Sequence, residues 1–269
     1  MTTINLGWEY DGVDLSTYAY DVRALGAPEQ VPARRGDNVM IPGATGRLYV
    51  DKRLDQRTLA LAMYIDARHP TSGSSTRTAA QLKANLDALK GLFARDGQHT
   101  LRCALPGSET RDATAEVVNV VEFQPTGPYS YALMVEFVLT DPWWYSQSTT
   151  TVGPTTIIQS PQNIAVTNDG TYKAEKVTVT VAGPITDPKF AVGSIWVLYT
   201  GTVATDETLV IDCGDWTAEL DGGDVSGNIS HEGDLRWLVF AVGVNTLIVT
   251  SSGFAGATTV TVEFTAAFV

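Results

Sequence analysis

The sequence predicts a mainly β protein in two parts: an α+β N-terminal domain with a single helix, followed by a β-sandwich. Three observations lead there. Apolar residues alternate with polar ones in short runs along most of the 269 residues, which is the period of a half-buried strand. Only one stretch carries a helical period. Charge also steps between the halves: residues 1–150 carry 14 basic and 17 acidic side chains, residues 151–269 carry 4 and 13. The expected division is 1–148, a linker over 149–163, and 164–269.

In chain order, Asp11-Gly12 between Trp8–Tyr10 and Val13–Leu15 predicts a two-residue hairpin turn, because glycine tolerates a positive φ. Residues 26–46 read as loop, punctuated by Pro28, Pro32, Gly36, Pro42, Gly43 and Gly46, with one apolar stretch at Val39–Ile41. Leu59, Leu61, Met63 and Ile65 then share a strand face. Leu82, Leu86, Leu89 and Phe93 recur at i, i+4, i+7 and i+11, predicting a helix that packs on one surface. Ser75 or Thr76 is its expected cap and Gly97 its left-handed stop. Two strands come next, one with Ala113, Ala115, Val117, Val121 and Phe123 on a face, the other with Tyr131, Leu133, Val135, Phe137 and Leu139. Residues 123–130, with two prolines and a glycine, read as the turn between them.

The second half has no helical stretch. Its connector, rich in Thr, Ser, Pro and Gln, leads into short strands at Val177/Val179/Val181, Ile195–Tyr199, Leu209/Ile211, Leu247/Val249 and Val260/Val262/Phe264. Regular short strands separated by Gly, Asp and Asn turns predict a sandwich or jelly roll.

Composition excludes several function classes. A net charge of −12 disfavours gripping a DNA backbone, which needs clustered Lys and Arg. The longest apolar run, Leu59–Ile65, is seven residues against the ~20 that cross a bilayer. The opening MTTINLGWEYDG lacks the basic and apolar regions of a signal peptide, so a soluble protein is expected. Cys103 and Cys213 lie 110 residues apart, one in each half, and read as two buried thiols more readily than as an inter-domain disulfide.

No catalytic or metal-binding pattern stands out. His69, His99 and His231 have no ligand partner at helical spacing, the cysteines form no CxxC, and neither a phosphate-binding glycine loop nor a GxSxG elbow occurs. The carboxylates Asp212, Asp215, Glu219, Asp221, Asp224, Glu232 and Asp234 do not match a calcium loop and read as a solvated face. Trp196, Trp216 and Trp237 are candidates for stacking on sugar rings, with burial in a sandwich core as the competing reading. The short matches Arg35-Gly36-Asp37 and Asn228-Ile229-Ser230 carry no weight alone. The expected protein is non-catalytic, with no cofactor and no metal, and works by binding neighbours.

Three stretches carry a family resemblance. Val39–Ile65, VMIPGATGRLYVDKRLDQRTLALAMYI, joins a glycine turn, basic residues and an alternating strand, and precedes a loop and one helix, Ala79–Arg95. The strand Tyr129–Thr140 runs into Asp141-Pro142-Trp143-Trp144-Tyr145-Ser146. The third stretch is NDGTYKAEKVTVTVAG, residues 168–183. In this order they resemble the distal tail proteins of bacteriophages with long, non-contractile tails. Two departures are Glu175-Lys176, where the family often has proline, and the lack of a long receptor-binding insertion.

The resemblance implies a split β-barrel with one flanking helix, then a sandwich like those of galectins and carbohydrate-binding modules. It implies a structural protein of the virion tail tip, made in the host cytoplasm. Six copies would form a ring between the tail tube protein and the tail-tip hub, near the tape measure protein. DNA would pass through a lumen where carboxylates cluster. The loop-rich stretch, with Arg34, Arg35, Asp37 and Ile41, is the candidate inter-subunit arm. Asp141, Pro142, Trp143 and Trp144 are the candidate domain hinge, or else the end of a core strand. The alternative function is adhesion to a cell-surface glycan through the second domain. A weaker one is an accessory chain of a cell-wall hydrolase, which would need paired carboxylates in a cleft.

Overall fold

The computed structural model describes residues 7–26, 31–40, 42, 45, 47–50, 53–67, 77–105, 109–232 and 237–269, side chains at 39 and 122–124 excepted. The chain forms two compact units, residues 1–145 with Val269, and 146–268. None of the described helices is long and apolar enough to cross a membrane.

The first unit opens with β1 (Gly7–Tyr10) and β2 (Val13–Asp14). Asp11 and Gly12 take φ of 50° and 76°, and Tyr10 pairs with Val13, as the hairpin signal predicts. Next come β3 (Ala19–Ala24), β4 (Arg34–Arg35), β5 (Val39–Met40), β6 (Arg47–Leu48), β7 (Arg53–Leu54) and β8 (Arg57–Asp66). Helix α1 (Ala79–Phe93) leads to β9 (His99–Ala104), β10 (Thr110–Gly127) and β11 (Ser130–Leu139). The 18-residue β10 serves two halves: residues 110–115 pair with β9, and the remainder pairs with β11. One half is β2-β1-β9-β10 and the other is β10-β11-β8-β3, a split barrel with one flanking helix. Leu59, Leu61, Met63 and Ile65 point inward, each at most 4% exposed. Tyr10 links the halves and the helix, its ring 5.2 Å from Phe137 and 5.9 Å from Phe93.

Several local expectations need correction. The helix cap is Thr78, whose Oγ1 accepts from the Gln81 N–H at 3.1 Å; Ser75 and Thr76 lie outside the described residues. Thr78-Ala79-Ala80-Gln81 has the spacing of a capping box, the signal that points to this start. The helix ends at Phe93, with Ala94 as cap, short of Arg95. Leu89, Leu92 and Phe93 are buried, whereas Leu82 and Leu86 are half-buried. The buried residue of the first turns is polar: Asn85 Nδ2 donates to the Asp66 carbonyl at 2.9 Å.

In β10 an irregularity between Val117 and Asn119 inserts one residue. Such a bulge flips the parity of the residues beyond it, so Val120, not Val121, pairs with buried Val135. Phe123 lies outside the described side chains. The turn is also tighter than residues 123–130: β10 runs on to Gly127 and only Pro128-Tyr129 turn. Residues 26–46 are not wholly loop, since they hold β4 and β5, which pair with β7 and β6.

The second unit begins within β12 (Trp144–Thr156), so most of the stretch expected as linker is strand. It continues through β13 (Gln162–Asn168), β14 (Val177–Ala182), β15 (Ile185–Thr186), β16 (Lys189–Val192), β17 (Ile195–Tyr199), β18 (Thr202–Val203), β19 (Thr208–Asp212), β20 (Thr217–Leu220) and β21 (Gly223–Asp224). The remaining strands are β22 (Ile229–Glu232), β23 (Gly243–Thr250), β24 (Gly253–Phe254) and β25 (Thr259–Phe268). One sheet runs β12-β25-β14-β19-β20-β21, the other β13-β23-β16-β17-β22, and β18-β15-β24 form a small third sheet. Val179, Val181, Phe190, Val197, Leu209, Ile211, Leu247, Val260 and Val262 fill the core of this sandwich.

The motif at 168–183 has a physical basis in this unit. Asn168 is buried; its Nδ2 donates to the carbonyls of Tyr172 and Phe240, and its Oδ1 accepts from the Gly170 N–H at 3.0 Å. A Cβ on Gly170 would stand 2.5 Å from the Ala267 carbonyl oxygen, and one on Gly183 would stand 2.1 Å from that of Ala204. Backbone approaches this close require glycine.

Candidate functional site

The candidate arm lies between β3 and β8. Between the paired strands β3 and β8, residues 31–54 contain two ladders of two residues each, Arg34–Arg35 with Arg53–Leu54 and Val39–Met40 with Arg47–Leu48. Among the described residues few further bonds hold it: the Asp55 N–H donates to the Ala33 carbonyl at 2.8 Å, and the Val50 N–H reaches Asn38 Oδ1 at 3.5 Å. Val31, Met40, Leu48 and Tyr49 are each more than half exposed, a concentration of apolar surface that a solvated loop would avoid. Five basic and two acidic residues give 31–54 a net charge of +3 in a chain of net −12. Arg34, Arg35 and Asp37 are all exposed, and Gly36 between them takes φ 103°. Ile41 lies outside the described residues.

The four hinge candidates fall at the end of the first unit. Trp143 and Trp144 are buried, at 8% and 2% exposure, and the Trp144 ring lies 6.2 Å from that of Trp8, tilted by 57°. Asp141 Oδ2 accepts from the Tyr145 hydroxyl at 2.6 Å, and Pro142 is half-buried. The boundary between units falls just after Tyr145.

The three tryptophans of the sandwich have different fates. Trp237 is buried beside His231. Trp196, on β17, is half-buried; Lys189 Nζ lies 4.0 Å over its ring, and its indole N–H donates to Glu232 Oε2 at 2.5 Å. Trp216 is 52% exposed in the turn between β19 and β20, with φ of 59°. Of the three, Trp216 alone presents an uncommitted ring face to solvent.

A groove of about 310 Å³ lies on the outer side of the six-stranded sheet, lined by Thr149, Lys176, Thr178, Asp212, Asp215 and Glu263 among others. Sequence reasoning did not foresee it, because it needs the register: Thr178 pairs with Glu263 on one side and with Asp212 on the other. Among the described residues no group of His, Cys, Asp and Glu is arranged to hold a metal ion. Asp224 is held below the usual carboxylate range by hydrogen bonds from Ser226, fitting a solvated, turn-stabilising role. Asp234 lies outside the described residues.

Several charges of the first unit are tied into pairs. Arg102 grips Asp112 through two parallel bonds of 2.7 and 2.9 Å and reaches Glu9 at 3.2 Å, which raises its pKa further. Asp11 bonds to Arg95 and lies 3.1 Å from His99 Nδ1. Cys103 and Cys213 are both buried and not disulfide-bonded, and burial pushes the Cys213 thiol up.

No family model and no curated protein matches the sequence. Among solved structures, the SPP1 Dit protein (gp 19.1), described as a paradigm of the hub adsorption apparatus in phages infecting Gram-positive bacteria, matches at a TM-score of 0.69. The match covers 98% of this chain and 99% of that one at 18% identity. The phage P2 baseplate in its activated conformation with Ca matches at a TM-score of 0.42 and 8% identity, over 97% of this chain and 98% of that one. Over its whole length, this chain has the mainly β fold of the SPP1 Dit protein.

Proposed function

We propose that this chain is a structural virion protein of a phage tail tip, six copies of which close into a ring joining the tail tube to the tail-tip hub. The observation that carries this reading is the likeness to the SPP1 Dit protein over 98% of this chain, which takes in both units. A ring needs two different, mutually complementary surfaces on each subunit. The arm supplies one in this reading: a basic and apolar projection from an acidic chain, with Arg34, Arg35 and Asp37 on it. Asp141, Pro142, Trp143 and Trp144 then connect the ring unit to the sandwich. The tail tube protein, the hub protein and the tape measure protein are its neighbours. Carboxylates of the first unit line the lumen and repel passing DNA. The reading is non-catalytic.

Light scattering on the purified full chain, with negative-stain images, tests it. Rings of six are the expected result. A chain that stays monomeric both alone and with a tail tube protein overturns it.

A further inference from the structure

We infer that the free edge of β13 is an interface for a second copy of this chain, which adds its own β13 antiparallel about a two-fold axis at Ala165. The contact involves the second unit alone and does not rest on the ring. A ring relates neighbours by rotation and joins two different surfaces, whereas this contact sets one surface against itself.

On one side β13 pairs with β23, residue for residue from Gln162↔Val249 to Asn168↔Gly243, and no described strand pairs with its other side. Every second residue of such an edge turns its backbone N–H and C=O outward, and a row of these groups is matched by an extended chain. The devices that usually blunt an edge are missing here. The strand is seven residues long, holds no proline and no charged side chain, and runs without a bulge. The strands that end the two main sheets elsewhere are protected: β21 has two residues, and β22 carries Glu232.

Three observations make the occupant a second copy. The first is charge: at net −12 the copies repel one another, yet no charged residue occurs between Asp141 and Asp169. The second is the strand's own sequence, QNIAVTN, which is close to a palindrome in chemical type. With Ala165 opposite itself, Ile164 meets Val166 on the buried face, Asn163 meets Thr167 on the exposed face, and Gln162 meets Asn168. The third is the exposed apolar surface gathered at its two ends. Ile158, 76% exposed, sits at the Gln162 end, its N–H donating to Gln162 Oε1 at 2.8 Å. Val242 and Val244, 56% and 78% exposed, sit at the Asn168 end, where Val244 pairs with Thr167. An antiparallel partner brings its Ile158 to the end that holds Val242 and Val244, so apolar surface meets apolar surface at both ends.

The test is disulfide trapping on the full chain at micromolar concentration, where the native Cys103 and Cys213 are both buried. Under mild oxidation Ala165→Cys should form a covalent dimer about tenfold faster than Thr217→Cys, an exposed position of the same unit. A mixture of Asn163→Cys and Thr167→Cys chains should link one to the other and neither to itself. In this register Asn163 faces Thr167 and stands about 14 Å from its own copy, beyond disulfide reach. Adding Ala165→Lys to both chains sets two ammonium groups face to face and should slow this linking about tenfold. Ala165 is exposed, so the thermal midpoint should hold. The inference is overturned if Ala165→Cys dimerises no faster than Thr217→Cys, if Asn163→Cys links to itself as fast as to Thr167→Cys, or if Ala165→Lys leaves the linking unchanged.

Discussion

Asn85, on the inner side of the helix, donates its side-chain amide to the backbone carbonyl of Asp66, at the end of β8, across 2.9 Å. Asn85 is 2% exposed, and its own Oδ1 accepts from Gln81 Nε2 at 2.9 Å. A polar residue thus fixes the helix against the strand where the apolar stripe would place a leucine. Asn85→Ala removes a buried donor, and the expected cost is about 1–3 kcal/mol of stability, read from urea unfolding.

The pairing of Trp144 with Trp8 predicts a larger loss. Trp144→Ala deletes a fully buried indole and leaves a cavity, which costs about 3–5 kcal/mol. Unchanged stability would show that this ring contributes little to the core of the first unit.

Asp11 makes a pH-dependent contribution. The hydrogen bond from Arg95 lowers its pKa below the ordinary carboxylate value. A lowered folded-state pKa stabilises above the unfolded-state pKa, and the contribution disappears as pH falls through the folded value. Asp11→Asn, which keeps a residue tolerant of the positive φ, should therefore lower the thermal midpoint at pH 7. Wild type and variant should converge as the pH falls below the lowered folded-state value. A gap that is constant with pH would assign the effect to the turn backbone instead.

Cys213 should be chemically silent. Burial raises its pKa, so little thiolate exists at neutral pH, and the sulfur has almost no solvent access. Labelling with a thiol reagent should track global unfolding, with no fast phase from this residue in the native protein.

The arm predicts assembly without stability. Replacing Met40, Leu48 and Tyr49 together with serine removes exposed apolar surface, so the thermal midpoint should hold to within a few degrees. Rings should be lost or weakened at micromolar concentration. Rings that persist would show that other surfaces hold the subunits together.

The mainly β class, the single helix, the Asp11-Gly12 hairpin and the inward face of β8 were all legible in the order of residues. Each is written in a local period or a turn residue, and each is decided within a few positions. The family resemblance was legible as well, because Asn168, Gly170 and Gly183 are residue choices that close backbone contacts impose. Other features arose from contacts between distant segments. The shifted face of β10 depends on one inserted residue whose effect is felt across the strand pair. Asn85 became a core residue because a carbonyl 19 positions earlier needed a donor there. Trp196, Trp216 and Trp237 look alike in sequence, yet packing buried one, engaged another with Lys189 and Glu232, and left Trp216 in solvent. The groove needs Glu263, Thr178 and Asp212 on three adjacent strands, and residues 34 to 85 positions apart become neighbours only through the register of the sheet.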